Sequence, residues 1–372
     1  MELFFDIFLE KRIFAGKTDD GDGERDMKAL VKVKEGHGNV ELLDVKEPEL
    51  GPGMILIEVK YAGICGTDQH IYHGTYRCNP PVILGHEFSG VVAEVGEGVS
   101  RFRPGDRVTV LPSTGVTCGA CEHCRTGNYM FCRERKSLGS GINGGFTKYV
   151  AVREDMAYRI PDRLSLEEAA LTEPLACAVK ALEELTPIRV GDTVLLSGPG
   201  PIGLLCLALL RAKGCKVIVA GTGRDADRLN IAAGMGADVI VNVDGQDLHG
   251  TIAAETDGRG VDVAIECAGA GPSVANCLKA VKKRGKYIQV GIIGKEITVE
   301  FDTILYKQLE VVASYAHSIE TFDRVMRIWE QGKVDVKPVI THKVPLSRWK
   351  DAFDLCERKA GGKVLLYYDE SR

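Results

Sequence analysis

The run Val194–Gly203 (VLLSGPGPIG) constrains this chain more than any other stretch. A short apolar segment, Thr193–Ser197, meets Gly198, Gly200 and Gly203 and passes into the helix-like apolar run Ile202–Ala212. Alone, G-x-G-x-x-G spacing is weak, because an ordinary tight turn also uses glycine. Between a predicted strand and a predicted helix it meets a physical demand: bare backbone must approach a pyrophosphate seated on the helix N-terminus. The pattern continues with strand Lys216–Ala220, helix Asp225–Met235, strand Val239–Asn242 and strand Val261–Cys267. Strands alternating with helices predict an α/β chain with a Rossmann-type doubly wound parallel sheet.

Elsewhere the texture differs. From Met27 to about Val150, short runs of alternating period are broken by Gly and Pro, as in Ile55–Val59, Gly90–Val95 and Arg107–Leu111. They predict a β-rich domain. Near Leu166 a helix Glu167–Leu185 is expected, with Ser165 as N-cap and Glu168 three residues on. Helix Ile319–Gln331 and a final strand Lys363–Tyr368 are expected in the tail. The chain's 372 residues call for two domains. A net charge of -5 with scattered Lys and Arg argues against a nucleic-acid or anionic-membrane partner. No apolar run of eighteen residues is present to span a membrane. Met1–Phe14 is interrupted by Asp6, Glu10, Lys11 and Arg12 and makes a poor signal peptide, while Thr18–Asp26 (TDDGDGERD) reads as a flexible linker. A cytoplasmic protein is expected.

Twelve cysteines in a large chain without a secretory signal point to metal rather than disulfides. Cys118, Cys121, Cys124 and Cys132 follow C-x2-C-x2-C-x7-C among turn-forming residues. Four thiolates on one loop can close a tetrahedral shell around Zn2+ at about 2.3 Å, leaving no place for water, so such a site is structural. A nucleic-acid zinc ribbon is the rival, but only Arg125, Arg133 and Arg135 surround the lobe. A second constellation joins Cys65, Thr67, Asp68 and His70 to Gly85, His86 and Glu87. A thiolate and an imidazole form an open, mixed set suited to catalytic zinc.

The run Gly85–Gly90 (GHEFSG), with Gly96 and Val99 beyond, resembles the signature of zinc-containing medium-chain alcohol dehydrogenases. The CGTD segment at Cys65 and the four-cysteine lobe lie at that family's positions, and the likeness runs from Met27 to the end. It implies a GroES-like β-rich catalytic domain over 27–165 and 306–372, a Rossmann domain over 166–305, and residues 1–26 as an extension. It further implies two zinc ions per chain, a hydride exchanged between a secondary alcohol and a nicotinamide, a small-molecule alcohol or ketone substrate, and a homodimer or homotetramer. The third catalytic zinc partner is expected at Glu173, in a Glu-Pro-Leu run similar to that of polyol dehydrogenases. Glu87 is the alternative, and Cys177, four residues past Glu173 on the same helical face, a further one. Asp68 would orient His86 or cap a helix. Thr67 and His70 resemble the family's hydroxyl-to-imidazole proton relay.

The cofactor set comprises Gly198, Gly200, Pro201, Ile202, Gly203, Gly221, Thr222, Arg224, Val290 and Gly291. NAD-specific relatives carry an acidic residue about 20 residues past the glycine loop, for the ribose. Here Gly221 leaves room for a 2′-phosphate, with Thr222 and Arg224 beside it, so NADP is favoured over NAD. Asp225 and Asp227 are the candidates for holding a ribose should the loop shift. Ile71 and Ser314 stand where sorbitol dehydrogenases carry Tyr and Arg, which leaves open polyols, diols, cyclitols and amino alcohols. The alternatives are a threonine-3-dehydrogenase-like enzyme, a zinc-free quinone reductase, and a non-enzymatic zinc protein on the same fold.

Overall fold

The structure is a computed structural model that describes residues 26–369. The extension expected over 1–26 lies outside the described residues except for Asp26, which opens the first strand, Asp26–Lys32. Among the described residues no helix is long and apolar enough to cross a membrane.

Six strands form one parallel sheet. Its spatial order is Val239–Asn242, Lys216–Gly221, Thr193–Ser197, Val261–Glu266, Val281–Gln289, Glu310–Ala313. Numbered along the chain from Thr193, that order is 3-2-1-4-5-6, the doubly wound arrangement expected from the alternating pattern. The order reverses between Thr193–Ser197 and Val261–Glu266, and there the glycine loop leaves the sheet. The sixth strand extends this sheet past residue 305. Its partner on one side is Val281–Gln289; no strand pairs with its outer side among the described residues.

The β-rich part holds a three-stranded sheet that includes Asp26–Lys32 and a seven-stranded sheet built around Met54–Gly63, which pairs with Glu87–Val95, Tyr149–Arg153 and Lys363–Tyr367. The tail thus returns its last strand to this sheet. Helix Ile319–Gln331 packs instead on Thr172–Val179, burying Phe322, Val325 and Trp329 in the core beneath the parallel sheet.

The single helix expected over Glu167–Leu185 is divided. Leu166–Ala169 is capped by Ser165 and Glu168 as the spacing required, Thr172–Val179 follows, and Lys180–Glu184 widens into a π-turn. Pro174 has no N–H for the carbonyl of Ala170, so the first turn cannot run on unbroken. The break leaves Glu173 in the first turn of a new helix, where the dipole favours a negative charge.

One short connection ties the two parts together. Lys359 Nζ donates to Asp225 Oδ1 at 2.8 Å, and Arg228 Nε donates to the carbonyl of Gly361 at 2.8 Å. Two residues later the chain enters strand Lys363–Tyr367.

Candidate active site

Cys65 is the N-cap of helix Gly66–His73, and Asp68 serves that cap and the neighbouring imidazole together. Its Oδ2 accepts from the Cys65 N–H at 2.9 Å, while Oδ1, buried and without a hydrogen bond, lies 3.9 Å from His86 Nδ1. The helix-capping role considered for Asp68 is present; toward His86 it stands close without a hydrogen bond. His86 follows Gly85, whose φ of +89° and close approach to Phe146 leave no room for a side chain. Burial disfavours a charged His86, yet the adjacent Cys65 sulfur, then Asp68 and Glu173, push its pKa well above the imidazole range.

Ligand atoms of Cys65, His86 and Glu87 lie within 4.8 Å of one another, as do those of Glu173, Cys177 and His317. Glu173 Oε1 is 3.0 Å from His317 Nε2, and Cys177 Sγ donates to the same oxygen at 3.7 Å. Burial alone would raise the pKa of Glu173, but the His317 bond and the charges of His86 and Lys363 hold it below the usual carboxylate range. Burial and the facing Glu173 drive the Cys177 thiol well upward, which keeps it protonated. Glu87 is paired through both oxygens with Lys363 Nζ, at 2.9 and 2.6 Å. Asp68, Glu87 and Glu173 are buried carboxylates near Cys65 and His86, and of the three only Glu87 is hydrogen-bonded to Lys363. A thiol, an imidazole and a carboxylate within reach of one another are the donors zinc takes, so the set fits zinc.

Sequence reasoning missed His317 and Lys363. Each meets its carboxylate across a long sequence separation, 144 and 276 residues. The one local hint is a lysine opening an otherwise apolar strand, Lys363–Tyr367 (KVLLY).

Thr67 and His70 stand one turn apart on helix Gly66–His73, but no hydrogen bond joins them. His70 Nδ1 is 3.2 Å from the Thr75 hydroxyl instead. In the lobe, Cys118, Cys121, Cys124 and Cys132 converge within 4.8 Å, and backbone N–H groups point at the sulfurs: Cys121 to Cys118 at 3.3 Å, Cys124 to Cys121 at 3.4 Å, Cys118 to Cys132 at 3.4 Å. The Cys121 and Ala120 amides lower the Cys118 thiol to about 7. This is the arrangement four thiolates adopt about one cation.

At the sheet's reversal point, Gly198 has φ +98°, and a Cβ there would strike Ala268. Gly200 caps helix Pro201–Lys213, with Pro201 in its first turn, and Gly203 lies against the Gly198 carbonyl. Val290 and Gly291 both donate backbone N–H to the carbonyl of Glu266 at 2.9 Å. The buried Glu266 carboxylate also accepts from Ala268 and Gly269, so one residue shapes both loops facing the glycine turn. Gly221 ends its strand, and Arg224 is exposed. Thr222 gives its N–H and hydroxyl to Asp225 Oδ2, at 3.0 and 2.6 Å, and Lys359 takes Oδ1. Asp225 is thus a buried capping residue, which corrects its candidacy as a ribose ligand. Asp227 is exposed on the following helix.

A family model described as "Alcohol dehydrogenase GroES-like domain" matches residues 51–162, and one described as "Zinc-binding dehydrogenase" matches 201–331. The chain is 39% identical to sorbitol dehydrogenase of Halalkalibacterium halodurans, over 91% of this chain and 99% of that one. It is also 39% identical to D-arabitol-phosphate dehydrogenase of Enterococcus avium, over 88% of this chain and 94% of the relative. A zinc-binding dehydrogenase of Sinorhizobium meliloti 1021, solved bound to NADP, superposes with a TM-score of 0.83 at 33% identity, covering 92% of this chain and 99% of its own.

Proposed function

The chain belongs to the zinc-containing medium-chain alcohol dehydrogenase family, and on that footing we propose that it oxidises a polyol or diol with NADP+ at a zinc held by Cys65, His86 and Glu173. It is an oxidoreductase that moves a hydride between a secondary alcohol and a nicotinamide. The carrying observation for the metal shell is the division of labour between the two carboxylates. Lys363 engages both oxygens of Glu87, whereas His317 and Cys177 engage only Oε1 of Glu173, leaving Oε2 for a ligand bond. Cys177, a protonated donor to Glu173, is the weaker third ligand. The four lobe cysteines would hold a second zinc, giving two per chain.

When bound, the metal polarises the substrate oxygen and the nicotinamide exchanges the hydride. The chain does the positioning. Asp68, 3.9 Å from His86 Nδ1, would orient that ring on a small inward shift. Helix Thr172–Val179, which carries Glu173, packs on the glycine-loop helix Pro201–Lys213 and so sets the metal side against the cofactor side. Thr67 and His70 are the groups that would pass the substrate proton outward, and His70 already meets the Thr75 hydroxyl on the outer side. NADP is supported by Gly221, by the exposed Arg224, by the engagement of Asp225 elsewhere, and by the NADP in the Sinorhizobium relative.

The reading extends to assembly and place. Phe301, Leu305, Tyr306 and Val311 are exposed beside the open outer strand Glu310–Ala313, a surface that a second copy would cover in a homodimer or homotetramer. Reduced thiol sites suit the cytoplasm. The deciding experiment is a dehydrogenase screen of polyols, diols, cyclitols and threonine with NADP+ and NAD+, on protein whose zinc content is measured. Polyol or diol turnover with two zinc per chain is expected. Folded, zinc-loaded protein inert toward the polyols and diols, or using only NAD+, would refute the proposal.

A further inference from the structure

We propose that His37 and His73 form a further metal site, apart from the Cys65 and cysteine-lobe sites, for a dication of the zinc kind that takes imidazole nitrogen. The two histidines meet across 36 residues of sequence, with their Nδ1 atoms 3.4 Å apart. That is long for a hydrogen bond between nitrogens. It is the spacing of two nitrogens on one tetrahedral ion, since bonds of about 2.0–2.1 Å set them about 3.3–3.4 Å apart. The ring centroids agree, at 5.3 Å. Two imidazoles on such an ion have centroids about 5.2 Å apart, whereas rings facing head-on at this nitrogen spacing would stand further apart.

The surroundings prepare both nitrogens. His73 Nε2 meets the carboxylate of Glu357, the last residue of helix Trp349–Glu357. An ionised carboxylate only accepts, so the proton sits on Nε2 and the neutral ring presents a bare lone pair at Nδ1. A carboxylate on the far nitrogen is the usual partner of a histidine that binds metal. His73 also ends helix Gly66–His73, where the negative pole of the helix favours a cation. His37 is fixed through its neighbours. The buried Lys32 ammonium donates to the carbonyls of both Gly36 and Gly38, the latter at 2.7 Å, and the Gly38 N–H donates to the Tyr72 carbonyl at 2.7 Å. Gly74 lets the loop come this close, because a Cβ there would meet the carbonyl carbon of Gly36 at 2.7 Å. His37 is exposed and His73 half-buried, so an ion can enter and water can fill the rest of its shell.

The test is equilibrium dialysis of the full zinc-loaded chain against added zinc in modest excess, with bound metal counted per folded chain. Wild type should hold one zinc more than His37→Ala and one more than His73→Ala, whatever number the Cys65 and cysteine-lobe sites hold. Glu357→Ala should weaken binding of that additional zinc about tenfold, because the carboxylate that fixes the His73 tautomer is gone. His37 lies on an exposed loop, so His37→Ala carries the test if His73→Ala does not fold. Equal zinc content in wild type and His37→Ala across the titration would overturn the proposal, as would unchanged zinc affinity in Glu357→Ala.

Discussion

Replacing Cys121 with Ser should release the cysteine lobe while leaving both hydrophobic cores standing. From residue 118 to 132 the lobe has one four-residue α-helix, Glu122–Arg125, and a single 3-10 turn. Apart from cysteines, Met130 is its only buried hydrophobic side chain. Ordering about fifteen residues costs roughly 15 kcal/mol at about 1 kcal/mol each. Burial of Met130 returns about 2 kcal/mol. A structural zinc, which contributes about 10–16 kcal/mol, would supply most of the balance. Loss of one thiolate from four therefore falls on a segment with almost no other support. Arg125 and Arg133 are exposed within or beside the lobe, so trypsin reads its opening directly. A fall of about 3 kcal/mol in opening free energy accelerates cleavage roughly a hundredfold when opening is fast relative to cutting. The melting onset should drop, while turnover per folded molecule changes less. Wild-type trypsin resistance and an unaltered melting curve in Cys121→Ser would show that no structural metal orders this lobe.

Cys65→Ala and His86→Ala should each abolish turnover while cofactor binding, followed by nicotinamide fluorescence, persists; full activity in either at matched zinc content contradicts the assignment. Arg224→Ala should raise KM for NADP+ about tenfold, the loss of one exposed charge-assisted bond, and leave KM for NAD+ unchanged. Equal effects on both would overturn the NADP reading. Arg224 is the better probe because a Cβ at Gly221 would meet Pro199 Cδ at 3.0 Å and Leu229 Cδ2 at 3.2 Å, mixing strain with charge. Burial would raise the pKa of Asp225, but its Lys359 and Thr222 bonds hold it below the usual value. Its ionised form therefore stabilises the fold above about pH 4, and this contribution is lost as pH falls through the depressed native value. Asp225→Asn should lower the melting temperature at pH 7, and the gap to wild type should narrow as pH falls below about 4; a gap that stays constant on acidification would contradict the linkage.

Local features were legible in the sequence because their physics is local. The glycine loop, the Ser165–Glu168 cap and the spacing of four cysteines each act over a few residues. So did the acid-hydrogen pairing of Asp68 with its own helix start. What escaped was set by topology. His317 and Lys363 reach the carboxylates from the return segment; HSIE carries no signal of a buried partner, and KVLL only the hint of a lysine opening an apolar strand. Asp225 shows the complementary case: its position past the second strand suits a ribose, yet Lys359, 134 residues on, binds its carboxylate, which no local pattern shows. The division of helix Glu167–Leu185 was readable from Pro174 and was outweighed by the apolar pattern around it.

The connection from Lys359 to Lys363 has a practical meaning for anyone altering this enzyme. Within five residues it grips the loop where cofactor choice is made, through Asp225 and Arg228, and the carboxylate beside the metal, through Glu87. On the proposed assignments, cofactor preference and metal retention would not be independent design variables here. A substitution around 222–228 that frees Lys359 or shifts the Gly361 carbonyl also loosens the anchorage of Lys363. Libraries aimed at a new nicotinamide should score zinc content alongside rate, and should carry 359–363 as part of the cofactor loop.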